Sequence, residues 1–340
     1  MKKHINIPIF IPHLGCPNNC VFCNQRSISG HQSFDRSGVD REIREVLSTL
    51  KGDTYREIAF FGGSFTGIDR ELMIYLLEVA KRYIDAGEVQ GIRLSTRPDY
   101  ISEEILDILK HYGVTAVELG IQSMSEAVLC ASKRGHDTEV TERACALVKS
   151  YGFELVGQMM IGLPEADVEA EKYTARRICE MSADYARVYP TVVFYETELC
   201  EMARQGEYTP LSDEDAVLRT KEVLGVFDSL GVPCIRVGLC ASENLSDEES
   251  VYGGANHSAI GELAMGELYY DKICDILDEK PEIRGSELII YGGVGSTSKI
   301  SGQNRRNKIR ICKKYGFNKI KILEKSEIIG YNIILDTFIR

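Results

Sequence analysis

Short apolar runs alternate with longer amphipathic stretches along the first two-thirds of the chain. Runs at Ile5–Ile11, Glu57–Phe61, Gly91–Thr96, Ala116–Ile121, Phe153–Ile161 and Tyr185–Val193 predict six strands. Between them, apolar residues recur at helical spacing over Val39–Leu50, Asp69–Ala86, Ser102–Tyr112, Thr138–Tyr151 and Asp167–Met181. Strand, helix and strand in that rhythm predict a parallel sheet, because a parallel neighbour is reached only through a long crossover. Helix starts agree with the pattern. Ser102 stands before Glu103 and Glu104, which puts a capping oxygen and negative charge at the positive helix end. Ser212 and Asp215 have capping-box spacing ahead of a helix over Asp213–Leu230.

After about residue 235 the rhythm changes. Ala241–Ala259 is acidic and loop-like, and a helix follows over Ala259–Leu277. A strand at Glu287–Tyr291, a helix at Asn304–Tyr315 and a hairpin of Lys319–Leu323 with Ile328–Asp336 are expected next. Three units follow from this: 1–235, a barrel; 236–285, a loop and helix extension; and 286–340, a small basic α+β segment.

No apolar run approaches the ~18 residues of a membrane span, so no membrane association is expected. Asn6, Pro8 and Pro12 break the apolar stretch behind Lys2 and Lys3, unlike a secretory leader. Eleven cysteines, an odd number, point to a reducing compartment and a cytoplasmic protein. The formal charge of −11 argues against a surface that attracts nucleic acid everywhere. That charge is segregated, however. Lys299–Lys325 holds ten basic residues and one acidic, a net +9, so the remainder carries −20. Attraction to a phosphate backbone accounts for such a segment, with Tyr315 and Phe317 able either to stack on bases or to pack in a core.

Cys16-Pro17-Asn18-Asn19-Cys20-Val21-Phe22-Cys23 places three cysteines directly after the first strand. Three thiolates from one tight loop can hold three irons of a 4Fe-4S cluster, leaving the fourth iron open for reaction. Zinc with His13 as a fourth ligand satisfies the same count, although structural zinc usually takes paired CxxC spacing. Spacing, the aromatic Phe22 and the strand-to-loop position favour the open cluster.

On this motif the chain resembles the radical S-adenosylmethionine (SAM) superfamily. The resemblance implies a partial (β/α)6 TIM-like radical SAM barrel with a small α+β C-terminal extension, and a site at the C-terminal strand ends. It also implies that Cys16, Cys20 and Cys23 are the metal ligands and the catalytic centre, with SAM on the open iron. Gly62 and Gly63 match the glycine pair that contacts the methionyl part of SAM. Ser64 and Phe65 stand where the superfamily often has an acid.

The middle of the chain is similar more narrowly to the radical SAM half of the Elongator catalytic subunit. The matching segments are Ser95-Thr96-Arg97-Pro98-Asp99-Tyr100, Val117–Ser123, Arg134-Gly135-His136, Met159–Pro164, Tyr189–Val193 and Gly206-Glu207-Tyr208. Oxygen-independent coproporphyrinogen III oxidases share a looser version. From this resemblance Gln122 and Arg134 contact SAM, and the polar end of the third strand, Ser95 to Arg97 and with it Thr96, lies near it. Arg134 can pair with the SAM carboxylate and Gln122 with a ribose hydroxyl. Ser95 replaces a usual Glu, and Gln158 stands where the oxidases carry an acid. The family's acetyltransferase domain has no counterpart after the barrel, so the expectation is the radical half acting on another substrate.

Other features carry less. His257 lies in a Gly-rich loop and suits a cap better than a proton shuttle. Cys234 and Cys240 are a weak candidate for an auxiliary cluster, and the remaining cysteines suit core packing. The expected function is reductive cleavage of SAM to a 5′-deoxyadenosyl radical, used on RNA, above all tRNA, held by Lys299–Lys325. The competing readings are a radical SAM enzyme on a tetrapyrrole or other small molecule, and a non-catalytic haem carrier or chaperone on the same fold. Neither competitor needs a basic surface. The reaction requires a reductant such as flavodoxin or ferredoxin, and the sequence leaves the oligomeric state open.

Overall fold

The computed structural model describes residues 3–11, 16, 20–24, 34–239, 250–280, 282–283 and 287–338. Seven parallel strands form the main sheet: β1 (Lys3–Ile11), β2 (Thr54–Gly62), β3 (Gly91–Thr96), β4 (Val114–Gln122), β5 (Glu154–Ile161), β6 (Tyr185–Pro190) and β8 (Cys234–Val237). They lie side by side in chain order from β1 to β8. Six strands were expected; β8 is the seventh, and it spans residue 235. The first and last strands do not pair with each other, so the curved sheet is a partial barrel.

Alternation along each strand divides the two faces. Ile58, Phe60, Ile92, Leu94, Leu119, Leu155, Met159 and Val188 belong to the core shared with the covering helices. The opposite set, Glu57, Arg93, Ser95, Glu118, Gln158 and Arg187, shares the concave face. Arg93 bridges Glu57 at 3.1 Å, Glu118 at 3.3 Å and Glu154 at 2.5 Å. Glu118, fully buried, also accepts from Arg187 Nη2 and Gln158 Nε2, both at 2.8 Å. Buried charge is tolerable only when paired in this way.

The helices begin where the caps were expected. Ser102 accepts from the Ile105 N–H, and Ser212 from the Asp215 N–H at 3.1 Å. Each helix runs back against its strand, so its N-terminus lies at the C-terminal strand ends.

Tyr185–Val193, expected as one strand, is broken at Thr191. β6 stops at Pro190, and β7 (Val192–Phe194) leaves to pair antiparallel with β9 (Val251–Gly254), inside the stretch expected to be loop. The helix Ile260–Glu279 joins the two halves of the molecule. Its Ile260, Ala264 and Leu268 pack with Ala216 and Leu224, while Tyr269, Ile273 and Leu277 pack under a second sheet. That sheet corrects the expected hairpin. β10 (Glu287–Gly292) lies in the middle, parallel to β11 (Lys319–Glu324) and antiparallel to β12 (Ile333–Phe338), so the last two strands never meet.

Candidate functional site

The ends of β1 to β4 supply the site. Gly62 has φ +117, and a Cβ there would fall on the Ile11 carbonyl, so only glycine fits. The Gly63 N–H donates to the same carbonyl at 3.0 Å. This pair therefore fastens the end of β2 to the end of β1, where the cysteine loop departs. The next residue, Ser64, donates its backbone N–H to the Cys16 thiol.

Cys20 lies buried at the other side of that loop, facing two guanidinium groups. Arg134 Nη1 lies 3.5 Å and Arg97 Nη1 3.9 Å from its sulfur. Both arginines are buried, at 6% and 3% exposure. Arg134 Nη2 donates to the Gly120 carbonyl at 2.6 Å. Arg97 forks onto both Asp99 oxygens at 2.8 Å and donates to the Arg134 carbonyl at 2.7 Å. Burial pushes the Cys16 thiol up, while Arg97 and Arg134 pull it back toward the thiolate. The Cys23 N–H closes a turn on the Cys20 carbonyl at 3.0 Å. Cys16 and Cys20 thus interact, with Cys23 on the same turn. Among the described residues, no three His, Cys, Asp or Glu side chains are gathered tightly enough to hold a metal ion as they stand.

Gln122 follows a register shift at the end of β4 and sits at φ +67, a left-handed conformation rare for a side chain. Its Oε1 is buried without a partner. A strained residue presenting an unsatisfied acceptor marks a ligand position. Thr96 differs from its neighbours. It shares the core face with Leu94, and its hydroxyl joins Ser64 Oγ at 2.8 Å and Thr66 Oγ1 at 2.6 Å. It therefore braces the Ser64 turn from behind. Phe22 packs with Val21, Val193, Leu199 and Cys200, anchoring the cysteine loop beneath β7.

Gln158 bonds Ser95 Oγ at 3.2 Å as well as Glu118, so the two residues that depart from the family pattern support each other. His257 is exposed; its Nδ1 accepts from the Ala259 N–H at 3.0 Å, the cap reading. Burial pushes the Cys234 thiol up to about 12, and it donates to the Arg236 carbonyl. His13 and Cys240 lie outside the described residues.

Half of the basic segment is ion-paired within the molecule. Arg310 holds both Glu267 oxygens at 2.8 Å, Arg306 approaches the same carboxylate at 3.9 Å, Lys314 pairs with Asp278, and Lys319 and Lys321 pair with Glu287. Lys299, Arg305, Lys308, Lys313 and Lys325 make no ion pair with a described residue. Phe317 and Tyr315 pack in the second core. A groove of about 490 Å³ separates Asp213 and Glu214, at the site end of their helix, from Arg306 and Arg310.

Sequence reasoning placed Arg97 beside the cofactor but missed its contact with Cys20. The signal was the Arg-Pro-Asp run, whose spacing lets a guanidinium fold back on a carboxylate.

Residues 10–176 match the model of the Radical SAM superfamily, and 183–270 that of the Radical_SAM C-terminal domain. A tRNA uridine(34) acetyltransferase of Methanocaldococcus infernus is 36% identical over 246 residues, 59% of this chain and 46% of that protein. Human Elongator complex protein 3 is 31% identical over 298 residues, 76% of this chain and 53% of that protein. The chain spans about half the length of these curated relatives. Among solved structures, the archaeal M. infernus Elp3 with an N-terminal deletion superposes with a TM-score of 0.60 at 21% identity, over 83% of this chain and 64% of that one.

Proposed function

From the premise that this chain belongs to the radical SAM superfamily of enzymes, we propose that it cleaves SAM reductively at a 4Fe-4S cluster to modify RNA, most specifically tRNA. The observation that carries the reading is the convergence of Arg97 and Arg134 on Cys20, with the Ser64 N–H on Cys16. Buried N–H donors and positive charge suit ligating thiolates and leave neutral, packed thiols without purpose. No helix among the described residues is long and apolar enough to cross a membrane. A cytoplasmic location, with an electron donor such as flavodoxin or ferredoxin, belongs to the same proposal.

The residues present fit the implied cofactors: three thiols on one loop, and the unpartnered acceptor of Gln122 at the end of β4, where the Gly120 carbonyl holds the Arg134 that faces Cys20. When bound, the cluster and SAM supply one electron and a 5′-deoxyadenosyl radical that removes a hydrogen atom from substrate. The protein's own part is positional. Cys16, Cys20 and Cys23 hold the metal. Gly62 and Gly63 let the backbone come close to the methionyl end, Arg134 answers its carboxylate, and Gln122 accepts from a hydroxyl. Phe22 and Val21 seal the loop against β7.

The tRNA half of the proposal is supported by the activity of the M. infernus relative and by Arg305 and Lys308, which pair with no described carboxylate and adjoin Arg306 and Asn307 in the lining of the groove beside Asp213. No observation favours a tetrapyrrole or a haem carrier. The test is anaerobic reconstitution followed by dithionite and SAM, with 5′-deoxyadenosine measured by mass spectrometry. Its absence over an intact cluster defeats the catalytic reading. Binding of a tRNA transcript that is insensitive to salt and to neutralisation within Lys299–Lys325 defeats the RNA reading.

A further inference from the structure

We infer that Arg97 is a positioning residue that sets the reduction potential of the cluster by acting on Cys20. The inference rests on the cluster reading above. Arg97 precedes Pro98, which holds it extended at φ −87 and ψ 149. From there the chain turns so that Asp99 receives the guanidinium as a two-bond fork, a geometry that fixes its plane. The fork leaves Nη1 directed at the Cys20 sulfur, while Nη2 also ties down the carbonyl of Arg134. The backbone of Arg97 reaches the second cysteine as well. Its N–H donates to Ser64 Oγ at 3.3 Å, and Ser64 in turn bonds Cys16. One buried residue thus connects two cysteine ligands with the loop that carries Arg134.

A donor N–H and a positive charge beside a ligating sulfur stabilise the more negative, reduced cluster and so raise its potential. Asp99 cancels much of the charge at a distance, which leaves a short-range, directional effect. Lysine cannot reproduce it, because an ammonium cannot fork onto Asp99 while a separate N–H faces sulfur.

The test uses the full chain, reconstituted anaerobically, as wild type, Arg97→Gln, Arg97→Lys and Asp99→Asn. Iron and sulfide content report assembly, and redox titration followed by EPR reports the potential. The expected result is a potential below wild type for Arg97→Gln, an intermediate one for Arg97→Lys, and one above wild type for Asp99→Asn, where a negative charge is removed. Unmoved potentials in assembled variants overturn the inference alone. If Arg97→Gln fails to assemble, Arg97→Lys decides, and a potential at or above wild type overturns it. A wild-type chain that takes up no four-iron cluster overturns the parent reading together with this one.

Discussion

Arg134 divides its guanidinium between the Gly120 carbonyl at 2.6 Å and the Cys20 sulfur at 3.5 Å, joining the end of β4 to the cysteine loop. Arg134→Lys keeps a charge but cannot span both acceptors. The variant is expected to retain wild-type iron and to need roughly tenfold more SAM for half-maximal 5′-deoxyadenosine formation, equivalent to ~1.4 kcal/mol. An unchanged requirement would show that Arg134 serves the loop alone.

The cysteines are expected to separate into two groups. Alanine at Cys16, Cys20 or Cys23 abolishes iron uptake and the visible absorbance of the reconstituted protein. Cys145→Ala leaves both intact, because that thiol is buried and pushed up to about 12, a packing residue rather than a ligand. Iron retention in any single loop variant equal to wild type removes that residue from the metal site.

Gly62→Ala strains a left-handed backbone and drives a methyl group onto the Ile11 carbonyl. The backbone term alone is ~1–3 kcal/mol. Urea unfolding should show a loss of at least that size, together with reduced iron uptake, since the strand ends that frame the cysteine loop are pushed apart.

The basic segment contains cations of two kinds, and substitution distinguishes them. Neutralising Arg305, Lys308 and Lys313 together should weaken binding of a tRNA transcript and flatten its salt dependence by about 2 in log–log slope. Arg310→Gln should instead lower stability, because it strands the mostly buried Glu267 carboxylate. Binding and unfolding measured on both variants check the division.

Burial and the neighbouring Arg134 push His136 down to about 4 from its usual 6.5. The unfolded chain therefore takes up a proton between those values that the folded chain refuses. Stability from this residue is present above pH 6.5 and is lost as pH falls toward 4. His136→Gln should lose less stability than wild type over that window, read as the difference between the two unfolding curves.

The six long strands were legible because each carries a buried apolar face, and β2 to β5 are followed by helices with side-chain caps at Asp69, Ser102, Asp137 and Asp167. β8 escaped notice because Cys-Ile-Arg-Val is short and carries a charge at its centre. β7 and β9 escaped for another reason. Their pairing joins residues far apart, and neither run has a period of its own. The hairpin error has a packing cause. Two runs separated by turn residues look like neighbours, yet the Leu-Ile-Ile run of β10 is the most apolar of the three and takes the doubly flanked central place. In the site, spacing revealed the cysteines and the family motifs revealed Arg134. The meeting of Arg97 with Cys20 joins residues 77 apart, and it depends on how β3 ends rather than on any local pattern.

The seating of the cysteine loop on β7 has a consequence in time. Leu199 donates its N–H to the Val21 carbonyl, Asn24 reaches the Tyr195 carbonyl, and β7 is itself paired by β9. The cysteine loop is synthesised well before β7 and β9, and the shelf that receives it is complete only once residue 254 has left the ribosome. Metal loading is therefore expected late in the maturation of this chain, and a ribosome-stalled fragment ending before β9 should present its cysteines open to thiol reagents.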